Sequence, residues 1–163
     1  MTDYPYRMHL AKEDFKFSSA HFTLFPGEDT ELLHGHNYQI QVELAGVELD
    51  EWGLLCDIGQ AKKIIRALCA AWDSRTLVPE ESPHLKLTRH EDGLEVRYQE
   101  RHYRFPWGDV VLLPLANTSI ELMARYLWGE IVRQLDAPAI REVAVTVGET
   151  AGQSCRYCAR LKR

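Results

Sequence analysis

Leu33-His34-Gly35-His36-Asn37-Tyr38 heads an alternating run, Gln39-Ile40-Gln41-Val42-Glu43-Leu44. Apolar and polar side chains trade places with period two through that run, the pattern of a half-buried strand. Residues i and i+2 of a strand share a face, so a strand beginning near His34 projects both imidazoles to one side. Gly35 adds no side chain between them and leaves room for a close approach. Upstream, Phe15-Lys16-Phe17-Ser18-Ser19-Ala20-His21-Phe22 ends another short alternating segment in a third histidine. Paired as antiparallel neighbours, the two strands bring His21 beside His34 and His36. Three neutral imidazoles plus a water or substrate oxygen make the open tetrahedral site of catalytic zinc.

Composition narrows what surrounds such a site. The chain has 163 residues, 45% of them hydrophobic and 26% charged, which suits one soluble globular domain spanning 1–163 with a real core. A formal charge of −5 lacks the basic excess of a nucleic-acid module. No apolar run reaches membrane-spanning length, and Met1-Thr2-Asp3-Tyr4-Pro5-Tyr6 does not read as a signal peptide, so a cytoplasmic location is expected. Of the four cysteines, Cys56 and Cys69 stand in apolar surroundings and read as reduced core residues. Cys155-Arg156-Tyr157-Cys158 has CxxC spacing, but no second ligand pair follows it and no helix begins at it.

Taken in order, residues 9–22 and 37–46 read as two antiparallel strands, and Val47 to Gly53 as a turn-rich connector. A helix runs from about Gly59 to Trp72, capped by Asp57, with Ala61, Ile64, Ile65, Leu68 and Trp72 in one stripe. Residues 79–109 alternate in short pieces around Asp92-Gly93 and read as a small β insertion. A second helix spans Ile120 to Leu135, with Leu122, Tyr126, Ile131 and Leu135 toward the core and Thr118 or Ser119 with Glu121 as its start signal. Ile140 to Val147 is a third main strand and residues 154–162 a fourth. The expected architecture is α+β: an antiparallel ββααββ sheet with both helices on one face. Open sheet edges invite oligomerisation.

Phe17-Ser18-Ser19-Ala20-His21 followed by His34-Gly35-His36-Asn37-Tyr38 resembles the signature of the 6-pyruvoyl-tetrahydropterin synthase and 6-carboxytetrahydropterin synthase family. The resemblance covers residues 13–78 and 110–160. It implies the tunnelling fold, zinc on His21, His34 and His36, and trimers that commonly stack into hexamers with the sites between subunits. Trp52-Gly53-Leu54-Leu55-Cys56-Asp57-Ile58 is similar to the family's lead into its first helix. Asn117-Thr118-Ser119-Ile120-Glu121 resembles its pterin-contacting helix start, which implicates Thr118 and Ser119 in substrate binding. Val147-Gly148-Glu149-Thr150 resembles the family's Glu-Thr pair, whose glutamate anchors the pterin. A carboxylate suits that role because it accepts two parallel hydrogen bonds from the ring's amino group and adjacent N–H.

Two departures from the family pattern carry the functional reading. Many members place a catalytic cysteine four residues before the first histidine of HGH, where this chain has Thr30. Glu31 follows it, three before His34, as in a minority branch where glutamate replaces the cysteine and the side chain of 7,8-dihydroneopterin is cleaved. After the first helix the family's Leu-Asp-His reads Trp72-Asp73-Ser74, so Asp73 remains without its histidine, and His84, His90 or His102 would have to substitute. The resemblance implies a zinc-dependent pterin lyase giving 6-hydroxymethyl-7,8-dihydropterin, with Glu31 as general base, its pKa raised by desolvation, and Asp73 the other catalytic residue. The alternatives are 6-pyruvoyl- or 6-carboxytetrahydropterin synthesis, a silent pterin- or purine-binding protein, or a plain oligomeric scaffold.

Overall fold

The computed structural model describes residues 4–27 and 31–162. Glu28, Asp29 and Thr30, the last at the cysteine position, lie outside the described residues. The order is β1 (Tyr6–Leu10), β2 (Lys16–His21), β3 (His34–Gly46), α1 (Ile58–Trp72), β4 (Arg75–Pro79), β5 (Lys86–Arg89), β6 (Gly93–Tyr98), β7 (Arg101–Pro106), β8 (Val110–Leu113), α2 (Ile120–Gln134), β9 (Ile140–Thr150) and β10 (Gln153–Arg160). Seven strands form the main sheet in the order β10-β9-β3-β2-β4-β8, with β1 also paired to β3; β5-β6-β7 make a separate small sheet.

β3 organises the main sheet. One edge pairs antiparallel with β9 from Gln39↔Gly148 to Leu44↔Val143. The other carries β2 against residues 34–39 and β1 against 42–46. The single strand expected over 9–22 is therefore two, broken where Phe15 N–H closes a turn on the Lys12 carbonyl at 3.1 Å. Lys12-Glu13-Asp14 puts three charges in succession, a run that a half-buried strand does not accommodate.

The expected all-antiparallel order needs correction. β4 pairs parallel with β2, and β8 parallel with β4, so the sheet is mixed, and the three strands β5, β6 and β7 lie between them in the chain. Thr76-Leu77-Val78-Pro79 and Val110-Val111-Leu112-Leu113 are short unalternating runs, as strands covered on both sides are. The inserted sheet packs Leu94, Val96 and Tyr98 with Phe22, Leu24, Val78 and Val110 into a second apolar cluster. Gly93 is required at its first hairpin, since a Cβ there would lie 2.2 Å from the Phe105 carbonyl oxygen.

One face of β3, running Tyr38, Ile40, Val42, Leu44, meets Val147, Val145 and Val143 of β9 and both helices in the main core. α1 starts as expected, with the Asp57 carboxylate accepting from Gly59 N at 2.7 Å and Gln60 N at 3.3 Å. Its buried stripe includes Cys69, while Leu68 is only partly buried. Burial pushes the Cys69 thiol up to about 12, with Asp14 and Asp73 adding to the shift, so it is inert.

α2 keeps Ile131 and Leu135 in the core as expected but differs in its first two turns. Met123, Ala124, Leu127 and Ile131 are buried, whereas Leu122 and Tyr126 lie at the margin. The segment is apolar nearly all round, so periodicity alone left its phase open; exposed Glu121 and Arg125 mark the outer side. Met123→Ala is expected to cost about 2–5 kcal/mol and Leu122→Ala roughly 1 kcal/mol or less. Urea unfolding of both variants checks the order, and the reverse order would return the helix to the phase read from sequence.

Candidate metal and active site

Parity carries the core stripe of β3 directly into the site. His34 and His36 lie on the face that buries Tyr38 and Ile40, and register places His21 opposite His34 and Ser19 opposite His36. One ring nitrogen from each of His21, His34 and His36 lies within 4.8 Å of the others, the sole such group found among the described residues.

The support of each ring selects the nitrogen that faces inward. His21, 1% exposed, directs Nδ1 at the Thr118 carbonyl at 3.1 Å. His34 Nδ1 faces the Leu32 carbonyl at 2.6 Å. A carbonyl partner holds the proton on Nδ1 and leaves Nε2 as the free lone pair, the arrangement that prepares imidazole for a metal. Burial drives the His21 pKa down despite the Thr118 carbonyl and Glu149, so this imidazole is neutral. Its Nε2 is buried without a hydrogen-bond partner. His34 and His36 bring their Nε2 atoms to 2.8 Å, where two lone pairs need a shared proton or cation between them. A buried ring nitrogen without a hydrogen-bond partner and three converging imidazoles fit a zinc ion held by His21, His34 and His36.

Glu149 closes the site from β9. Its Oε1 lies 3.2 Å from His21 Nε2 and 3.5 Å from His36 Nε2, and accepts from the Tyr38 hydroxyl at 3.3 Å. Its Oε2 accepts from Gln153 Nε2 at 2.7 Å, across the β9–β10 turn. Burial first, then the Glu149 charge and hydrogen bond, push the Tyr38 pKa up, so the phenol remains a donor.

The sequence of the 6-pyruvoyl tetrahydropterin synthase family matches this chain over residues 9–160. The chain belongs to that family. It is an enzyme of the tetrahydropterin synthase type. A Methanocaldococcus jannaschii protein named "Putative 6-carboxy-5,6,7,8-tetrahydropterin synthase" is 30% identical over 145 residues, covering 87% of this chain and 88% of that one. The Bacillus subtilis 6-carboxy-5,6,7,8-tetrahydropterin synthase is 31% identical over 127 residues, 76% of this chain and 70% of that one. The crystal structure of Plasmodium vivax 6-pyruvoyl tetrahydropterin synthase superimposes with TM-score 0.89 at 26% identity, covering 96% of this chain and 98% of that one. A variant of the P. vivax protein, also similar to this chain, replaces a catalytic glutamate by alanine.

Within this family frame the remaining site residues divide. Glu31 stands at the rim, its Oε2 accepting from Thr23 N at 2.9 Å. The expected rise of its pKa is not met in the chain itself. Burial acts upward, but the Thr23 backbone and hydroxyl and the His34 and His21 rings outweigh it and hold the carboxyl below its usual range. Thr118 is fully buried; its hydroxyl donates to the Phe22 carbonyl at 3.0 Å while its own carbonyl receives His21. Ser119 caps α2, accepting from Leu122 N at 3.5 Å. Both hydroxyls read as substrate contacts thus serve the frame of the site.

Asp73 terminates α1, and its carboxylate accepts from the backbone N–H of Ser18 at 2.7 Å. The structure does not bring it to the histidines. Nor do the insertion histidines arrive: His90 and His102 lie 3.5 and 3.4 Å from Glu95, and His84 borders a separate cavity. Cys155 and Cys158 stand three apart on β10, hence on opposite faces, and cannot share a metal or disulfide there. Tyr38 and Gln153 are the partners of Glu149 that sequence reasoning missed. Tyr38 was legible by parity with His34 and His36; Gln153 was not, because its reach depends on a register shift at Gln153/Ser154.

Proposed function

We propose that this enzyme is a zinc-dependent pterin lyase that shortens the side chain of 7,8-dihydroneopterin or its phosphate to give 6-hydroxymethyl-7,8-dihydropterin. The observation that carries the reading is Glu31, a carboxylate at the rim of the three-histidine cluster on the loop leading into His34. The similar P. vivax protein, with its catalytic glutamate, supports it.

Glu149 receives the amino and ring N–H donors of the pterin, with Tyr38 and Gln153 holding its carboxylate in plane. When bound to His21, His34 and His36, zinc supplies a Lewis acid that lowers the pKa of a side-chain hydroxyl. Glu31 takes the proton from the hydroxyl one carbon beyond the ring-bound carbinol. The bond between those two carbons breaks, the outer fragment leaves as a two-carbon aldehyde, and the electron pair enters the ring imine. A proton then returns to the ring-bound carbinol carbon, completing the hydroxymethyl product. Asp73 stays the second catalytic candidate only through a neighbouring subunit, since within one chain its carboxylate is tied to Ser18. Among the described residues, β8, β10 and β1 each have a single strand partner in the main sheet, and such edges support a trimer-based homo-oligomer, trimer or hexamer.

The second reading is 6-carboxy- or 6-pyruvoyl-tetrahydropterin synthesis, supported by the names of the M. jannaschii, B. subtilis and P. vivax proteins. Incubation of the metal-loaded enzyme with 7,8-dihydroneopterin and its triphosphate, followed by product identification, separates the readings. The hydroxymethyl product is expected. A 6-carboxy or 6-pyruvoyl product replaces the proposal by the second reading, and tight binding without turnover replaces it by a silent binder.

A further inference from the structure

The insertion, β5 to β7, has no place in the chemistry above, yet its second hairpin reaches the segment that carries Glu31. Tyr98 and Arg101 pair across the two-residue turn Gln99-Glu100, so Arg101 is the first residue of β7. From there the Arg101 guanidinium donates to the main-chain carbonyl of Glu31. Gln99, at φ 50 in the turn, directs its amide at the Gly27 carbonyl at 3.5 Å, on the same connection between β2 and β3. The two ends of that connection are packed into the insertion as well. Phe22 stacks on Tyr103 with ring centroids 5.6 Å apart, and Leu33 joins the same apolar cluster.

Between those packed ends the connection is also held at Leu24, which is buried in the same cluster and bonded to Asn117 through its N–H and its carbonyl. A cavity of about 590 Å³ lies against it, lined by Leu24, Phe25, Gly27, Tyr98, Gln99 and Asn117 among others. Apolar packing therefore fixes where the segment leaves β2 and enters β3, but not where the backbone of Glu31 stands between them. That position rests on polar ties: the Glu31 carboxylate to Thr23 N, and the Glu31 carbonyl to Arg101. A proton transfer needs the base within hydrogen-bond reach, and a misplacement of about 1 Å costs roughly a hundredfold in rate.

We infer that the inserted hairpin is the positioning element of the general base, with Arg101 setting the backbone of Glu31 so that its carboxylate can reach the substrate hydroxyl. This rests on the reading of Glu31 as the base. Among the described residues, the contact through which Arg101 bears on the site is the Glu31 carbonyl.

The test uses the zinc-loaded enzyme and its Arg101→Met, Arg101→Lys, Glu31→Gln and double Arg101→Met/Glu31→Gln variants. Arg101→Met is expected to lower kcat about ten- to a hundredfold with zinc content and KM nearly unchanged. Arg101→Lys should recover most of that loss, because a single backbone carbonyl needs one charged donor. The double variant should be no slower than Glu31→Gln, as required of two residues acting on one step. Hydrogen exchange in peptides covering Phe22–Phe25 and Glu31–Leu33 should rise in Arg101→Met. Unchanged exchange with unchanged kcat overturns the inference, as does a double variant slowed by the product of the two single effects. Normal turnover in Glu31→Gln removes the base assignment itself and so the catalytic half of the inference, leaving the exchange measurement to decide the structural half.

Discussion

Replacing His34 by Ala is expected to strip the enzyme of its metal. The wild type should carry about one zinc per subunit, the load of a site with three protein ligands. Loss of one imidazole removes a direct bond, and since loss of even an outer hydrogen-bond partner costs 10–100-fold in metal affinity, the variant should bind at least about a hundredfold more weakly. The geometry makes His34 the sharpest choice. Its Nδ1 is held at 2.6 Å from the Leu32 carbonyl and its Nε2 lies 2.8 Å from His36 Nε2, so its ring has little freedom to serve anything but the cluster. His21 is less suitable as a probe, because it is buried beneath Thr118 and its loss would also disturb the start of α2. Metal analysis after dialysis against a weak chelator measures the effect. Cys155→Ser and Cys158→Ser, whose side chains leave opposite faces of β10, should retain the full load. Retention in His34→Ala with loss in Cys155→Ser would move the site to the C-terminal strand.

How much of this was legible before the structure depends on whether the governing interaction is local. The alternation from Tyr38 to Leu44 settles which side of β3 is buried, and the same parity carries back to His36 and His34, so the cluster could be read from one strand and a partner. α1 was equally readable, because its stripe and its Asp57 cap agree. β4 and β8, which flank the insertion, were not read as strands of the main sheet because parallel pairing joins residues far apart in sequence, and a short apolar run does not say which sheet it enters. In the site, the motif Asn117-Thr118-Ser119 was found but its hydroxyls were assigned outward. Spacing locates a helix start; it does not tell whether a hydroxyl faces a ligand or, as in Thr118, the chain's own Phe22 carbonyl. Asp73 was read as catalytic from its resemblance to the aspartate of the family's Leu-Asp-His, whereas the structure gives its carboxylate the Ser18 amide.

Glu31→Gln is expected to leave zinc content and pterin affinity nearly intact while lowering turnover by roughly two to four orders of magnitude. The amide keeps the size of the carboxylate and can still accept from Thr23 N, so the local structure should persist. It cannot take a proton. In the chain by itself Glu31 is held below the usual carboxylate range, which favours the ionised form that a base requires but makes it a weak proton acceptor. Substrate must therefore change its surroundings: a pterin over the site removes water from the carboxylate and raises its pKa, in opposition to the Thr23 amide and to His34 and His21. The acidic limb of kcat/KM reports the free enzyme and that of kcat the complex, so the apparent pKa of the limb should be higher in kcat, and Glu31→Gln should abolish this limb in both. Normal turnover in Glu31→Gln would remove Glu31 from the chemistry and make Asp73, acting across a subunit boundary, the first candidate. Loss of zinc together with turnover would instead make Glu31 a support of the metal cluster, a role its contact with Thr23 rather than with any histidine argues against.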